Sequence, residues 1–143
     1  MNTDKEVETV LDTNILVSAA LCDGKPSRIL TLSEDGKIVS VTSPAIIKEL
    51  RDVLGRDRLP FSEKQVDELV SKILSISRVI EPRFQLEVVE NDPDDNKILE
   101  AAIAGDVDCI IPGDSHLLEL EEYDGLQIYS PDRFLTKHFG ETN

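Results

Sequence analysis

Four acidic residues stand where a carboxylate could do chemistry: Asp12, Glu49, Asp95 and Asp114. Asp12 follows directly on the apolar run VETVL (7–11), and Asp114 comes shortly after DCII (108–111). In an open α/β sheet, ligands bind beyond the carboxyl ends of the strands, and parallel strands bring those ends to one edge. Either Asp could simply cap the helix that follows it, but two of them on one edge suggest a shared purpose. Asp95 precedes Ile98, Leu99, Ala102 and Ile103, which recur at helical spacing from it. That phase sets Asp95 in the first turn of the face that packs on the sheet, where an unpaired carboxylate is costly. A first-turn acid also gains from the helix dipole, although Asp92 and Asp94 are better placed for that duty. Glu49 borders the apolar stripe Ile46, Ile47, Leu50, Val53 and Leu54, and helix phase alone favours a solvated Glu. If the four converge, such close carboxylates need a counter-charge. Oxygen-only donors select a hard cation, Mg²⁺ or Mn²⁺. That site would position a water, lower its pKa and neutralise charge on a phosphodiester. The implied reaction is metal-assisted hydrolysis of a phosphate ester.

The elements that must position these residues alternate along the chain. Strand patterns occur at 7–11, 38–42, 108–111 and 126–129, and less distinctly at 78–80 and 86–89. Between them lie helical stretches at 14–21, from Pro26-Ser27 to near Gly36, and from Ser43-Pro44 to about Leu54. Ser43 reads as N-cap with Pro44 at the first helical position. Ser62 and Gln65 form a capping-box pattern opening a helix to about Ile76. Further helices are expected from Asp94 or Asp95 to Gly105, in a short turn through Leu118, and from Pro131 to about His138. Strands separated by helix-length segments need crossover connections and a parallel sheet covered on both faces. The expected fold is one three-layer α/β/α domain spanning 1–143 around a central parallel sheet.

Composition bounds the function. The 143 residues carry 29 acidic and 15 basic side chains, for a net charge of -14. With 40 % hydrophobic residues and no low-complexity tract, the chain has the material for a packed core. No apolar run approaches a membrane span, and the opening residues do not read as a signal peptide. Cys22 and Cys109 cannot build a disulfide framework, and Cys109 reads as a small core residue. A reduced, cytoplasmic location with no membrane partner is expected. The acidity opposes a general electrostatic grip on nucleic acid. No glycine-rich nucleotide loop follows any strand, and no Ser or Cys nucleophile has an evident base. His116 lies near enough to Asp114 to approach the site, whereas His138 reads as solvated. Lys48, Arg51, Arg56 and Arg58 are interleaved with acids, so a solvated, ion-paired helix end is expected there.

Taken together, Asp12-Thr13-Asn14, Ser43-Pro44-Ala45-Ile46-Ile47-Lys48-Glu49-Leu50, the run from Asp92 to Ala102, and Asp108-Cys109-Ile110-Ile111-Pro112-Gly113-Asp114 resemble the PIN-domain ribonucleases. The similarity runs from about residue 7 to residue 137, with four motifs in the right order. It implies a compact α/β/α fold and Mg²⁺- or Mn²⁺-dependent RNA cleavage. It further implies a homodimer and, if the chain is a toxin, an antitoxin protein as partner. Carried over by position, Asp12, Glu49, Asp95 and Asp114 would be the acidic quartet that binds metal, with Asn14 orienting Asp12. The motif does not fix which of Asp92, Asp94 and Asp95 faces the metal; helix phase favours Asp95. Pro112 departs from the pattern, where a hydroxyl residue is common, and removes a hydrogen-bond partner of Asp114. A phospho-acceptor domain is the alternative from another class, opposed by the absence of a Lys after strand 126–129. A catalytically weak PIN-like binding subunit is the third reading. The quartet accounts for only four of the 29 acids, so the surplus belongs to the surface. Adaptation to a salty cytoplasm would explain it, since the Debye length falls to about 3 Å at 1 M salt.

Overall fold

Val10, Leu11, Ile110 and Ile111 are almost wholly buried, as expected of strands covered on both faces. The computed structural model describes residues 6–83, 93–113, 115–123 and 125–141, with backbone alone at 93–95, 115 and 116. Strand β1 (Val7–Leu11) is followed by helices α1 (Thr13–Leu21) and α2 (Lys25–Glu34), then β2 (Ile38–Thr42). Helices α3 (Pro44–Leu54) and α4 (Glu63–Ile76) lead to β3 (Ser77–Val79). Helix α5 (Pro93–Ala104) precedes β4 (Cys109–Ile111), followed by α6 (Ser115–Leu118), β5 (Glu122–Tyr123), β6 (Leu126–Ile128) and α7 (Pro131–Phe139).

Among the described residues the sheet order is β3-β2-β1-β4-β6-β5. All neighbours pair in parallel except β5 with β6. The chain therefore builds outward from β1 in both directions, first through β2 to β3 and later through β4 to β6. The strand order reverses between β1 and β4, and at such a switch point the two connections diverge and leave a crevice. Register puts Val10 beside Val41 and Ile110. Helix α5 packs against β1, β2 and β4, and α2 against β2. The result is the three-layer α/β/α arrangement expected from the alternation.

Local capping explains where several helices start. The Ser43 hydroxyl accepts from the Ile46 N–H at 3.3 Å, and Ser130 does the same for Arg133 at 3.2 Å, each with a proline next in the chain. Ser62 and Gln65 form the reciprocal capping box, with bonds of 3.1 and 2.8 Å. One element departs from expectation. The stretch after α6 contains the short antiparallel strand β5, paired to β6 through a turn whose Gly125 has φ +84°. Two residues carry too little alternation to register as a strand, but a positive φ at glycine lets the chain reverse there. The expected strand at 86–89 lies outside the described residues. No helix among the described residues is long and apolar enough to cross a membrane.

Cys109 is buried, and burial pushes its thiol up to about 11, against a smaller downward pull from the Thr9 hydrogen bond. Cys22 is exposed. Because the thiolate is the reacting form, iodoacetamide at pH 8 is expected to modify Cys22 in the folded protein and Cys109 only after unfolding. Mass spectrometry of the folded protein showing both sites labelled at equal rates would contradict this packing. His138 is exposed, as expected. Its ring nevertheless packs against Tyr129 and Phe134, and this partial burial, with Lys137 beside it, lowers its pKa.

Candidate functional site

The C-terminal end of β1 places Asp12 at the switch point between β1 and β4. Its backbone N–H donates to the Ile111 carbonyl at 3.3 Å, continuing the ladder toward β4. The residue is only 3 % exposed, and a buried carboxylate needs donors. Two backbone amides supply them. Oδ1 accepts from the Ile15 N–H at 2.9 Å, which makes Asp12 the N-cap of α1. Oδ2 accepts from the Gly113 N–H at 2.6 Å, in the turn just after β4. The capping role and the crossing role thus belong to the same side chain. A carboxylate has about four lone-pair positions, so neither bond prevents an oxygen from also meeting a cation.

The approach of the β4 turn requires glycine. A Cβ on Gly113 would lie 2.8 Å from the Asn14 Cβ and 3.4 Å from Asp12 Oδ1. The Asn14 Cβ is fixed to the α1 backbone and cannot swing away. Residue 113 therefore helps hold Asp12 through its N–H and its lack of a side chain, a role that the sequence pattern did not assign. Its signal was the Gly directly before Asp114.

Glu49 is tied to the same edge by the residue next to Asp12. The Thr13 hydroxyl, in a residue 4 % exposed, donates to Glu49 Oε1 at 2.6 Å. Lys97 Nζ lies 3.6 Å from that oxygen, and the Lys97 and Glu49 side chains are 20 % and 21 % exposed. The solvated Glu49 that helix phase favours is therefore not what is found. Helix α3 packs against both α1 and α5, covering a flank that a single apolar stripe leaves to water. Lys97 escaped notice for the same reason. It lies opposite the stripe of α5, yet Asn96 and Ala101 are buried as well, so neighbouring structure covers more of this helix than its apolar spacing indicates. Thr13→Val keeps the shape and removes the donor to a charged acceptor. It is expected to lower stability by about 1–2 kcal/mol, measured by urea unfolding; an unchanged midpoint would mean that the bond does not hold Glu49.

Asn14 is exposed in the first turn of α1, with its Cβ beside the Gly113 turn. Asp95 lies in the first turn of α5, where only the backbone is described, and the same holds for His116 in α6. Asp114 and Asp92 lie outside the described residues. Among the described residues, no group of three or more His, Cys, Asp or Glu side chains forms a metal cage. The part of the expected quartet that is described is thus Asp12 and Glu49, linked through the Asp12-Thr13 backbone and the Thr13 hydroxyl. Asp114 follows Gly113 directly in sequence. This oxygen donor set fits Mg²⁺ or Mn²⁺ better than a thiolate- or imidazole-seeking metal. The basic helix end behaves as expected: Arg51 is exposed and pairs with Asp67 of α4, while Lys48, Arg56 and Arg58 are exposed.

Comparison with known proteins bears on this arrangement. Residues 8–116 match the family described as PIN domain. The uncharacterized protein MJ1680 of Methanocaldococcus jannaschii is 33 % identical over 127 residues, covering 82 % of this chain and 77 % of that protein. Among solved structures, VapBC2 from Rickettsia felis, bound to a DNA fragment from its promoter, aligns with a TM-score of 0.62. That match has 16 % identity and covers 87 % of this chain and 98 % of the other. PAE2754 from Pyrobaculum aerophilum aligns with a TM-score of 0.62 and 18 % identity, covering 94 % of this chain and 91 % of the other. The two structures share the fold.

Proposed function

The chain belongs to the PIN-domain family, and from that membership we propose that it is a divalent-metal-dependent ribonuclease acting through Asp12, Glu49, Asp95 and Asp114. The observation that carries the proposal is the placement of Asp12: nearly buried at the switch point, with each carboxylate oxygen bonded to a backbone N–H. A cap needs only one of those bonds. Holding both oxygens fixes the plane of the carboxylate, which is what a ligand needs and a cap does not.

The cation, Mg²⁺ or Mn²⁺, would when bound neutralise charge on the scissile phosphate and lower the pKa of a water. The chain's own residues supply the rest. Asp12 stands at the switch point with its orientation set by the Ile15 and Gly113 N–H groups. Glu49 is oriented by Thr13 and neutralised by Lys97, which keeps two neighbouring carboxylates compatible before any cation arrives. In this reading Asp95 and Asp114 would complete the donor set. Because the surface carries a large negative excess, local attraction for RNA comes from the site itself and not from a basic patch.

The test is hydrolysis of unstructured and structured RNA by the purified protein with Mn²⁺ or Mg²⁺ against EDTA. Cleavage is expected only with the metal; the same cleavage in EDTA would remove the assignment. By the same family resemblance, we propose that the protein works as a homodimer in the cytoplasm and, if it is a toxin, with an antitoxin protein as its partner. Co-purification of a protein encoded next to it tests that partnership.

A further inference from the structure

Lys97 has two acidic settings within reach, and only one of them is Glu49. Its ammonium nitrogen lies 3.6 Å from Glu49 Oε1, and both side chains are mostly covered. The same lysine also lines a cavity of about 420 Å³ between the first turn of α3, the residues after β3 and the flank of α5. Two acids stand in that lining: Glu81, beyond the end of β3, and Glu100, one turn further along α5. Residues three apart on a helix are neighbours, and a lysine carries its charge on a flexible four-carbon stem. A change of rotamer therefore takes the ammonium from Glu49 toward Glu100, and the cavity supplies the room. Glu49 does not follow, because the buried Thr13 hydroxyl holds its Oε1 at 2.6 Å.

We infer that Lys97 is a tethered competitor of the divalent cation: it neutralises Glu49 in the metal-free protein and withdraws toward Glu81 and Glu100 when Mg²⁺ or Mn²⁺ binds. The inference rests on the divalent-metal reading and adds to it a residue that sets how tightly, and how selectively, the metal is held. A carboxylate has lone pairs enough for a hydroxyl, an ammonium and a metal ion together, so the competition is electrostatic and not steric. A dication beside the ammonium is repelled twice as strongly as a monovalent ion would be, and partial burial weakens the screening of that repulsion. Withdrawal into the cavity relieves it without stranding the ammonium, because carboxylates face it in both positions. The consequence is selectivity for double charge. A monovalent cation offers Glu49 no more charge than the ammonium does, and the tether keeps that ammonium at a high effective concentration. Only a dication brings enough additional attraction to displace it. Such a filter has a use in a chain of net charge -14, whose surface potential concentrates monovalent cations.

The test is a titration of the metal-free protein with Mn²⁺, the free ion being read by its electron paramagnetic resonance signal. A lysine that merely braced the site would weaken binding when removed, whereas a competitor strengthens it. Lys97→Met is therefore expected to bind Mn²⁺ about tenfold more tightly than wild type. Lys97→Arg keeps the charge and should bind as wild type does. In a Glu49→Gln background the Lys97→Met change should have no effect, because the contested carboxylate is gone. Unchanged or weaker binding by Lys97→Met, or the same gain in the Glu49→Gln background, would overturn the inference. If Lys97→Met misfolds, wild type labelled with ¹³C-lysine carries the test. The Lys97 Cε resonance, assigned by its loss in Lys97→Arg, should shift with Mg²⁺ and stay in place with K⁺ at the same ionic strength; a resonance that Mg²⁺ leaves unmoved would contradict displacement. None of these readouts uses RNA, so the outcome is separate from cleavage. Tighter binding by Lys97→Met without any ribonuclease activity would support the competitor and sink the enzyme assignment; cleavage with Mn²⁺ affinity unchanged in Lys97→Met would do the reverse. A wild type lacking any Mn²⁺ site that Asp12→Asn removes would overturn both.

Discussion

Replacing Asp12 with Asn is expected to reduce metal-dependent RNA hydrolysis about a thousandfold and to lower stability by about 1–3 kcal/mol. The substitution separates the two roles of this side chain. Asn caps helices about as well as Asp, so a residue that only capped α1 would tolerate the change in both assays. At this position both carboxylate oxygens accept from backbone N–H groups, one from Ile15 and one from Gly113. An amide has one oxygen and one NH₂, so one of those N–H groups would face another donor and lose its partner. The stability loss is that unsatisfied group. The activity loss has a different origin. Charge stabilisation by a bound cation is worth several kcal/mol, and about 1.4 kcal/mol corresponds to tenfold in rate. Urea unfolding and an RNA cleavage assay in Mn²⁺ measure the two effects separately. A variant as stable and as active as wild type would return Asp12 to the role of an ordinary cap.

Gly113→Ala is expected to be nearly as damaging, although it adds a single methyl group and changes no charge. The new Cβ would sit 2.8 Å from the Asn14 Cβ, a separation that neither backbone can accommodate without moving. The turn after β4 must then withdraw, and with it the N–H that holds Asp12 Oδ2. Overpacking of this kind costs about 1–3 kcal/mol, and the loosened carboxylate should lower activity by about 10- to 100-fold. A second substitution identifies the cause. In an Asn14→Gly background the clashing atom is gone, and the alanine should cost markedly less stability than it does in wild type. Equal costs in the two backgrounds would show that the contact with Asn14 is not what excludes a side chain at 113.

Much of the architecture can be read from local chemistry. The runs at 7–11 and 38–42 form strands because, apart from Glu8 and Ser40, their residues are apolar or β-branched, and both ends are marked by a polar or capping residue. Ser43-Pro44 and Ser62 with Gln65 cap as their spacing suggests, and Pro131 opens the last helix, with Ser130 as its cap. Asp12 was legible as well, because a carboxylate directly after an inner strand can reach only the sheet edge. What local chemistry misses depends on contacts between helices. Glu49 and Lys97 are 48 residues apart, and their pairing follows from α3 lying against α5, which the phase of neither helix reveals. Thr13 is hidden for a similar reason. Beside an aspartate it looks like an ordinary first-turn residue, and only the proximity of α3 gives its hydroxyl a carboxylate to hold. The glycine at 113 is visible as a turn, but its closeness to Asn14 belongs to the crossing of two chain segments 99 residues apart.

The most direct test of the central claim is anomalous scattering from crystals of the protein soaked in Mn²⁺. The account predicts a manganese peak at the β1–β4 crevice within coordinating distance of Asp12, with Glu49, Asp95 and Asp114 around it, and no such peak in Asp12→Asn. Manganese bound elsewhere on the acidic surface, with the crevice empty in wild type, would contradict it.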